Sequence, residues 1–440
     1  MKFRGLIVAA VVLAALTGTL YWSNHRKPEP EKASADAAPK ILSLPEADIT
    51  KVDVRKSGGE ELTLSKDNAG KWQITAPQPM RADQSQVSSM VSALASLSSD
   101  RLVEEKATNL DTYGLIHPSA EIAVTGKGNK THAVLIGDDT PTSSGAYAML
   151  QDDRRVFTVP TFTKNNLEKS ANDLRDKHLL AVDADKVSRL ELVANKQDIE
   201  FGRNKDDWQI IKPEPLRADS GQVGDLVRKL ADATMDASGN DQDEKKAAAA
   251  FAGGAPVATA KVTDEAGTQE LQVRKNKDDY YAKSSAVAGV YKIANDLASG
   301  LSKSLDDFRN KRLFDFGYRD PNKVEMHDGA KAYFLTYSGD NWWSADGKKM
   351  DPDSVELFVD KIRDLSAAKF VNQGFTAPAI TLAVVSNDGK LMEKVTIGKS
   401  GDVYVAERQN DPAFYQLDAS AVPDLQKAAA DMKLAAAAGK

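Results

Sequence analysis

At 440 residues the chain is long enough for about three domains of roughly 150 residues each, and 41% hydrophobic residues suffice for packed cores, which excludes a disordered chain. Lys and Arg total 58 against 64 Asp and Glu, and a formal charge of −6 without long single-sign blocks provides no electrostatic footprint for nucleic acid, so no nucleic-acid partner is expected. There is no cysteine, which excludes disulfides, thiolate metal sites and a cysteine nucleophile, and leaves the compartment to be read elsewhere.

The N-terminus supplies that reading. Lys2 and Arg4 precede an uncharged run from Gly5 to Trp22, which closes on Tyr21 and Trp22 and then on the polar residues Asn24 to Lys27. Eighteen residues at about 1.5 Å each span roughly 27 Å, enough for a bilayer core, and a Tyr-Trp pair suits the membrane interface. The run is longer than a signal-peptide core, and no clean small-x-small cleavage site follows it. Residues 1–27 therefore read as a short cytoplasmic head and an uncleaved signal-anchor transmembrane helix, with a cleaved signal peptide as the alternative. No cysteine follows the run, so a lipoprotein anchor is excluded. The charge placement leaves the bulk of the chain extracytoplasmic, in the periplasm, on a single-pass anchor. Residues 28–40, PEPEKASADAAPK, have no hydrophobic period and read as an extended Pro/Ala/charged tether.

The remainder is organised by an internal repeat. WQITAPQPMRADQSQV (Trp72 to Val87) recurs as WQIIKPEPLRADSGQV (Trp208 to Val223) with ten of sixteen positions identical, and more faintly as WWSADGKKMDPDSV from Trp342, two residues shorter. NDLRDKHLL around Arg175 matches DDFRNKRLF around Arg309. Tyr113-Gly114 before Pro118, Phe251-Ala252 before Pro256 and Gly374-Phe375 before Pro378 punctuate the middle of each copy. Three α+β repeats follow, at residues 41–180, 181–315 and 316–440, the last ending in an Ala-rich helix.

Within each repeat the hydrophobic period changes from two to 3.6. ITKVDVR, ELTLS and KWQI alternate as a strand meander, and Val87, Met90, Val91, Leu94 and Leu97 then fall on one helical face. AEIAVTG, HAVLIG, AYAMLQ and RVFTVP repeat the plan before a helical stretch from Lys164 to Leu174. The expected fold is thus α+β: an N-terminal transmembrane helix, then three tandem repeats of antiparallel strand meanders closed by helices, each repeat being two sheet-plus-helix layers. Asp83-x-x-Gln86, Asp219-x-x-Gln222 and Asp353-x-x-Glu356 read as structural caps, an Asp at N-cap with Gln or Glu three residues on. The prolines of PQP and PEP fix an extended approach to the cap, and Trp72, Trp208 and Trp342 cover a sheet-helix junction.

Residues that could carry chemistry are sparse. His25, His117, His132, His178 and His327 show no ligand spacing, and no serine-acylase or phosphate-loop pattern occurs, Gly253-Gly254 lacking the following Lys-Ser/Thr. NDQDEKK (240–246) reads as a solvated loop, and Asp183 and Asp185 as cap or turn carboxylates. Neither cofactor nor metal is expected, and no catalytic residue is assigned. Arg81, Arg217, Arg175 and Arg309 recur in pairs and are candidate anion contacts, or else inter-layer contacts to carbonyls and carboxylates.

With W-x-I, P-x-x-R-A-D, the Y-G or F-G punctuation, V-F-x-V and L-R-D-K in place, the chain resembles the bacterial family catalogued as domain of unknown function 4340, best over 41–315. The third repeat departs from it by lacking R-A-D and L-R-D-K. The resemblance implies a membrane-anchored protein often encoded beside ABC-type transporters of the gliding-motility kind, and it names no catalytic residue. The function expected is a non-enzymatic interaction platform or spacer with a protein partner in the envelope, ABC-type transporter subunits included. The alternative is a module binding a glycan, lipid or peptide in a groove between repeats, with Trp343, Tyr280 and Tyr281 as stacking candidates. An enzyme is the reading given least weight.

Overall fold

The computed structural model describes residues 39–236, 241–317, 321–386 and 389–436. The apolar run Gly5–Trp22 and nearly all of the tether lie outside the described residues. Among these residues no helix is long and apolar enough to cross a membrane. The chain divides into two compact units, Met1–Asp176 and Lys177–Lys440.

The first unit holds one repeat. Strands β1 (Ile49–Lys56), β2 (Glu61–Lys66), β3 (Trp72–Ala76) and β4 (Met80–Arg81) lead to helix α1 (Gln84–Ala95) and strand β5 (Arg101–Glu104). Strands β6 (Ala120–Gly126), β7 (Thr131–Asp139), β8 (Gly145–Leu150) and β9 (Val156–Pro160) lead to α2 (Thr161–Leu167) and α3 (Ala171–Leu174). The two meanders join through their first strands, β1 against β6 with Val52 opposite Val124 and Val54 opposite Ile122. The result is one nine-stranded antiparallel sheet, β4-β3-β2-β1-β6-β7-β8-β9-β5. Two layers per repeat were expected from the doubled plan, and a single sheet is found. The reason is that the first strand of each meander has a second edge to satisfy, and the matching strand of the other meander supplies it.

The alternation sets the faces. Val52 and Val54 are buried while Lys51, Asp53 and Arg55 point to the other side. Against the buried face pack Val87, Met90, Val91 and Leu94 of α1, with Leu167 and Leu174 from the second helical stretch, in one core. Each such Leu or Met side chain contributes roughly 1.5–3 kcal/mol by leaving water.

The second unit holds two further sheets. The first is β10 (Arg189–Ala194), β11 (Gln197–Asn204), β12 (Asp207–Lys212), β13 (Leu216–Arg217), α4 (Ser220–Ala231), α5 (Asp241–Ala252), β14 (Ala255–Asp264), β15 (Gly267–Asn276), β16 (Asp279–Ser284), β17 (Val290–Ile293), α6 (Asn295–Leu301) and α7 (Leu305–Phe308). The second is β18 (Lys323–Asp328), β19 (Lys331–Ser338), β20 (Asn341–Ser344), α8 (Pro352–Arg363), β21 (Ala367–Val371), β22 (Pro378–Ser386), β23 (Leu391–Ser400), β24 (Val403–Arg408), β25 (Phe414–Leu417) and α9 (Ala421–Ala430). Both keep the plan in eight strands, joined through β10·β14 and β18·β22. Among the described residues the middle sheet has no counterpart of β5, and in the last sheet an isolated bridge, Trp343 with Lys349, stands in the place of β4. NDQDEKK, expected as a loop, runs into α5 from Asp241, because the alanines that follow it propagate a helix.

The punctuation between meanders crosses the sheet on the face away from the helices. In the first repeat Ala107, Leu115, Met149 and Val156 form a small second cluster there, with Tyr113 edge-on to Tyr147 at 4.9 Å. Gly137 permits that crossing, since a Cβ would lie 2.1 Å from the carbonyl oxygen of Tyr113. Gly398 does the same under Phe375, whose ring a Cβ would meet at 2.3 Å. The register places Arg274 at this point of the middle sheet, and Phe251 of α5 lies instead against its guanidinium, 4.9 Å from Cζ to ring centre.

Candidate functional site

The two recurring signatures meet. In the first repeat the Asp83 amide donates to the Leu174 carbonyl at 2.8 Å, the Asp176 amide to the Arg81 carbonyl at 2.9 Å, and Ala82 pairs with Arg175 as an antiparallel bridge. In the second the bonds are Asp219 to Phe308 at 2.8 Å and Asn310 to Arg217 at 2.9 Å, around the bridge of Ala218 with Arg309. In the third, Asp351 donates to Lys433 at 2.9 Å and Ala435 to Lys349 at 3.0 Å, around Met350 with Leu434. R-A-D and L-R-D-K are therefore the two strands of one fastener that closes each repeat. The third repeat keeps the fastener without either signature, because the bonds are main-chain bonds.

The caps follow from the same geometry. Asp83 Oδ1 accepts from the amides of Ser85 and Gln86 at 2.9 and 3.0 Å, and Asp219 Oδ1 from Gln222 at 3.0 Å. Asp353 is corrected: the cap of α8 is Asp351, whose Oδ1 accepts from Ser354 N at 3.0 Å, and Asp353 lies in the first helical turn. Pro352 explains the earlier start, since its fixed φ suits the first helical position. Gln86 and Gln222 do not complete a capping box, because each cap amide already serves the fastener. Their Oε1 atoms accept from Lys169 Nζ at 2.8 Å and Lys303 Nζ at 2.6 Å. Reciprocal boxes occur at Ser170 with Asp173 and Ser304 with Asp307, and the Ser304 hydroxyl and amide hold the Asp307 carboxyl below its ordinary range.

The four arginines occupy different surroundings. Arg81 Nη1 lies 3.4 Å from Asp176 of its own repeat. Arg217 reaches away from its own sheet to the end of its repeat and on to the third: Nη2 donates to both oxygens of Asp315 at 2.6 and 2.7 Å, and Nη1 to the Arg312 carbonyl at 2.8 Å and to Tyr415 Oη at 3.4 Å. Arg175 is buried at the fastener. Arg309 lies with Cζ 3.5 Å from the centre of the Phe370 ring and donates to Asp306 at 3.0 Å. Sequence reasoning missed the groups that receive Arg217. Asp315 also meets Arg408 Nη1 at 3.0 Å, and its amide donates to Glu393 at 3.0 Å. Glu393, 3% exposed, accepts from Arg408 Nη2 at 2.7 Å. Burial pushes the Glu393 carboxyl up, with the Arg408 charge opposing. Burial, and a bond donated to Asp411 at 2.6 Å, push the Tyr415 phenol up to about 12. The one available signal was Asp315, just after FRNKRLF, where the first repeat has Ala181.

The third repeat also contains a cavity of about 570 Å³ at the mouth of the β19–β20 hairpin, beside α8. Tyr337, Trp342, Met350, Asp340, Asn341 and Glu356 line it. Its origin is the shorter hairpin-to-helix connection. In the first two repeats Trp72 and Trp208 are 5% and 6% exposed, and the two-residue strands β4 and β13 pair alongside β3 and β12. Gln84 further holds Trp72, accepting from its amide at 2.9 Å and donating to its carbonyl at 2.8 Å. In the third repeat this pairing shrinks to the single bridge of Trp343 with Lys349, Trp342 is half-buried, and Tyr337 opposite it is 39% exposed. Trp343, Tyr280 and Tyr281 do not line the cavity: Trp343 donates to the Ser338 carbonyl at 3.0 Å, and Tyr280 lies under Lys275. The cavity lies within one repeat, whereas a groove between repeats was expected. Among the described residues no group of three or more His, Cys, Asp or Glu side chains could hold a metal ion.

No curated protein matches the chain. Among solved structures, the DNA polymerase sliding clamp from Pseudomonas aeruginosa with ligand aligns over 86% of this chain and 92% of that one, at 9% identity and a TM-score of 0.16, a likeness too low to support any argument. The family model described as domain of unknown function, DUF4340, matches residues 72–246 and again 208–383. The second match starts 208 − 72 = 136 residues after the first, which is the interval between Trp72 and Trp208, the first residues of the two copies of the signature. Matched in two overlapping copies that together span most of its length, the chain belongs to the DUF4340 family.

Proposed function

We propose that the protein is a non-enzymatic, membrane-anchored extracytoplasmic platform, an accessory of an ABC-type transporter complex. The segment Gly5–Trp22 would span the cell membrane once, and residues 28–40 would tether the three repeats on the periplasmic side. One observation carries this reading: the residues that recur between repeats serve to close each repeat or to join the second to the third, so recognition falls to what the repeats do not share. The family resemblance supports the membrane and transporter setting. Crosslinking in whole cells, followed by capture of the full chain in mild detergent, tests it. Transporter subunits should be recovered with the protein, and recovery of no membrane partner would sink the proposal. A second reading, a ligand-binding module, is favoured by the cavity of the third repeat.

A further inference from the structure

The tryptophan that opens the last strand of each hairpin has a cross-strand partner, and that partner changes class in the third repeat. Lys66 stands opposite Trp72 with Nζ 5.0 Å from the ring centre, and Arg203 stands opposite Trp208 with Cζ at 5.9 Å. In both repeats the indole face carries an internal cation, an arrangement favoured by the negative face of the ring. Opposite Trp342 is Tyr337, with ring centres 5.2 Å apart at 56°. Here a second aromatic ring replaces the cation, and among the described residues no Lys or Arg stands over either ring.

One neighbouring charge changes in the same direction, Glu356 standing, counted from the helix cap, where the first two repeats have Ser88 and Gly224. Asp340, between the hairpin strands, and Glu356, on α8, line the cavity with carboxylates. Arg363 also lines it, but its guanidinium is paired with Asp360 and lies 5.5 Å over the Phe316 ring, so its charge is answered within the protein. Met350, Pro352 and Val359 supply apolar walls beside the rings. The site thus offers two aromatic rings and two carboxylates where the other repeats have a cation of their own.

We infer that the cavity of the third repeat receives an organic cation from outside, the Lys or Arg side chain of a basic segment on a partner protein, seated against Trp342 and Tyr337 with Asp340 and Glu356 beside it. This rests on the platform reading and names the chemistry of the partner that the platform would hold. Calorimetric titration of the full chain in detergent with N-acetyl-arginine methylamide and N-acetyl-lysine methylamide tests it, with the citrulline and norleucine analogues as neutral controls and choline as the lipid-headgroup arm. The cationic amides should bind, more weakly as salt rises, and Glu356→Gln should reduce their affinity by roughly threefold to tenfold. Tyr337→Arg restores the internal cation of the first two repeats and should abolish binding without lowering Tm, and Tyr337→Phe should retain it. Equal binding of the neutral analogues, undiminished binding by Tyr337→Arg, or preference for choline would overturn the inference. Capture of transporter subunits by Tyr337→Arg at the wild-type level would overturn the inference and leave the platform standing. Failure of the wild-type chain to capture any partner would remove the platform itself.

Discussion

Arg81 and Arg217 occupy the same place in the same motif, and their side chains meet different partners. Both carbonyls accept the closing bond of their fastener. The Arg81 side chain is paired with Asp176, inside the first unit. The Arg217 side chain reaches Asp315 and the Arg312 carbonyl, on the segment whose Leu313 and Phe314 pack into the third core, and Tyr415 and Asp411 of the third repeat. The main chain of the motif therefore builds each repeat, and the side chain is available to join repeats when the next one offers a carboxylate. A bidentate Arg–carboxylate pair with further acceptors fixes orientation as well as distance, which a single ion pair does not.

The largest effect is expected behind that junction. Arg408→Ala leaves Glu393 buried without its partner, and uncompensated buried charge costs about 3–5 kcal/mol. Denaturant unfolding of the variant should show the third repeat lost well before the rest. Arg217→Ala comes next: it is partly exposed, so about 1–2 kcal/mol is expected, against less than about 1 kcal/mol for Arg81→Ala. The comparison fails if the two variants have equal Tm, or if only Arg81→Ala separates a second unfolding transition.

The caps should rank lower. Asp351→Ala should cost about 1 kcal/mol and Asp353→Ala less than about 0.5 kcal/mol. Equal losses would restore Asp353 as the cap.

Titration separates the junction from the fasteners by sign. Tyr415 is raised from 10.0 to about 12, so its contribution is fully present below pH 10 and is lost as pH rises from 10 through about 12. Tyr415→Phe should remove that alkaline loss in Tm measurements. Glu393 is raised above 4.5, so its contribution is present below 4.5 and fades as pH rises through its folded value, a slope that Glu393→Gln should flatten. Asp307, at the closing helix, is lowered below 3.8, so its contribution is present above 3.8 and is lost as pH falls through its folded value. Asp307→Asn should remove that acid-side loss, the smallest of these effects.

Much of the local architecture was legible. Val87, Met90, Val91 and Leu94 are the buried face of α1, as their spacing requires, and Asp83 and Asp219 cap where an Asp before a helical period should. The third repeat was misread at Asp353 because the Asp-x-x-Glu pattern was followed while Pro352, the stronger start signal, was passed over. The candidate arginines were found by recurrence, but their receivers were not. Asp315, Glu393 and Arg408 do not recur, and they converge with Tyr415 only when β23, β24 and β25 lie side by side.

By itself the sequence determined the alternation of strand and helix periods and the helix starts at Asp83 and Asp219, because these depend on residues within a few positions of one another. Tertiary structure alone decided three things. It joined two meanders into one sheet through β1 and β6, made R-A-D and L-R-D-K a single fastener, and turned a two-residue shortening before α8 into an open aromatic cavity. The physical reason is common to all three. Main-chain bonds between distant strands carry no side-chain signature, and a cavity is defined by how closely elements far apart in sequence come together.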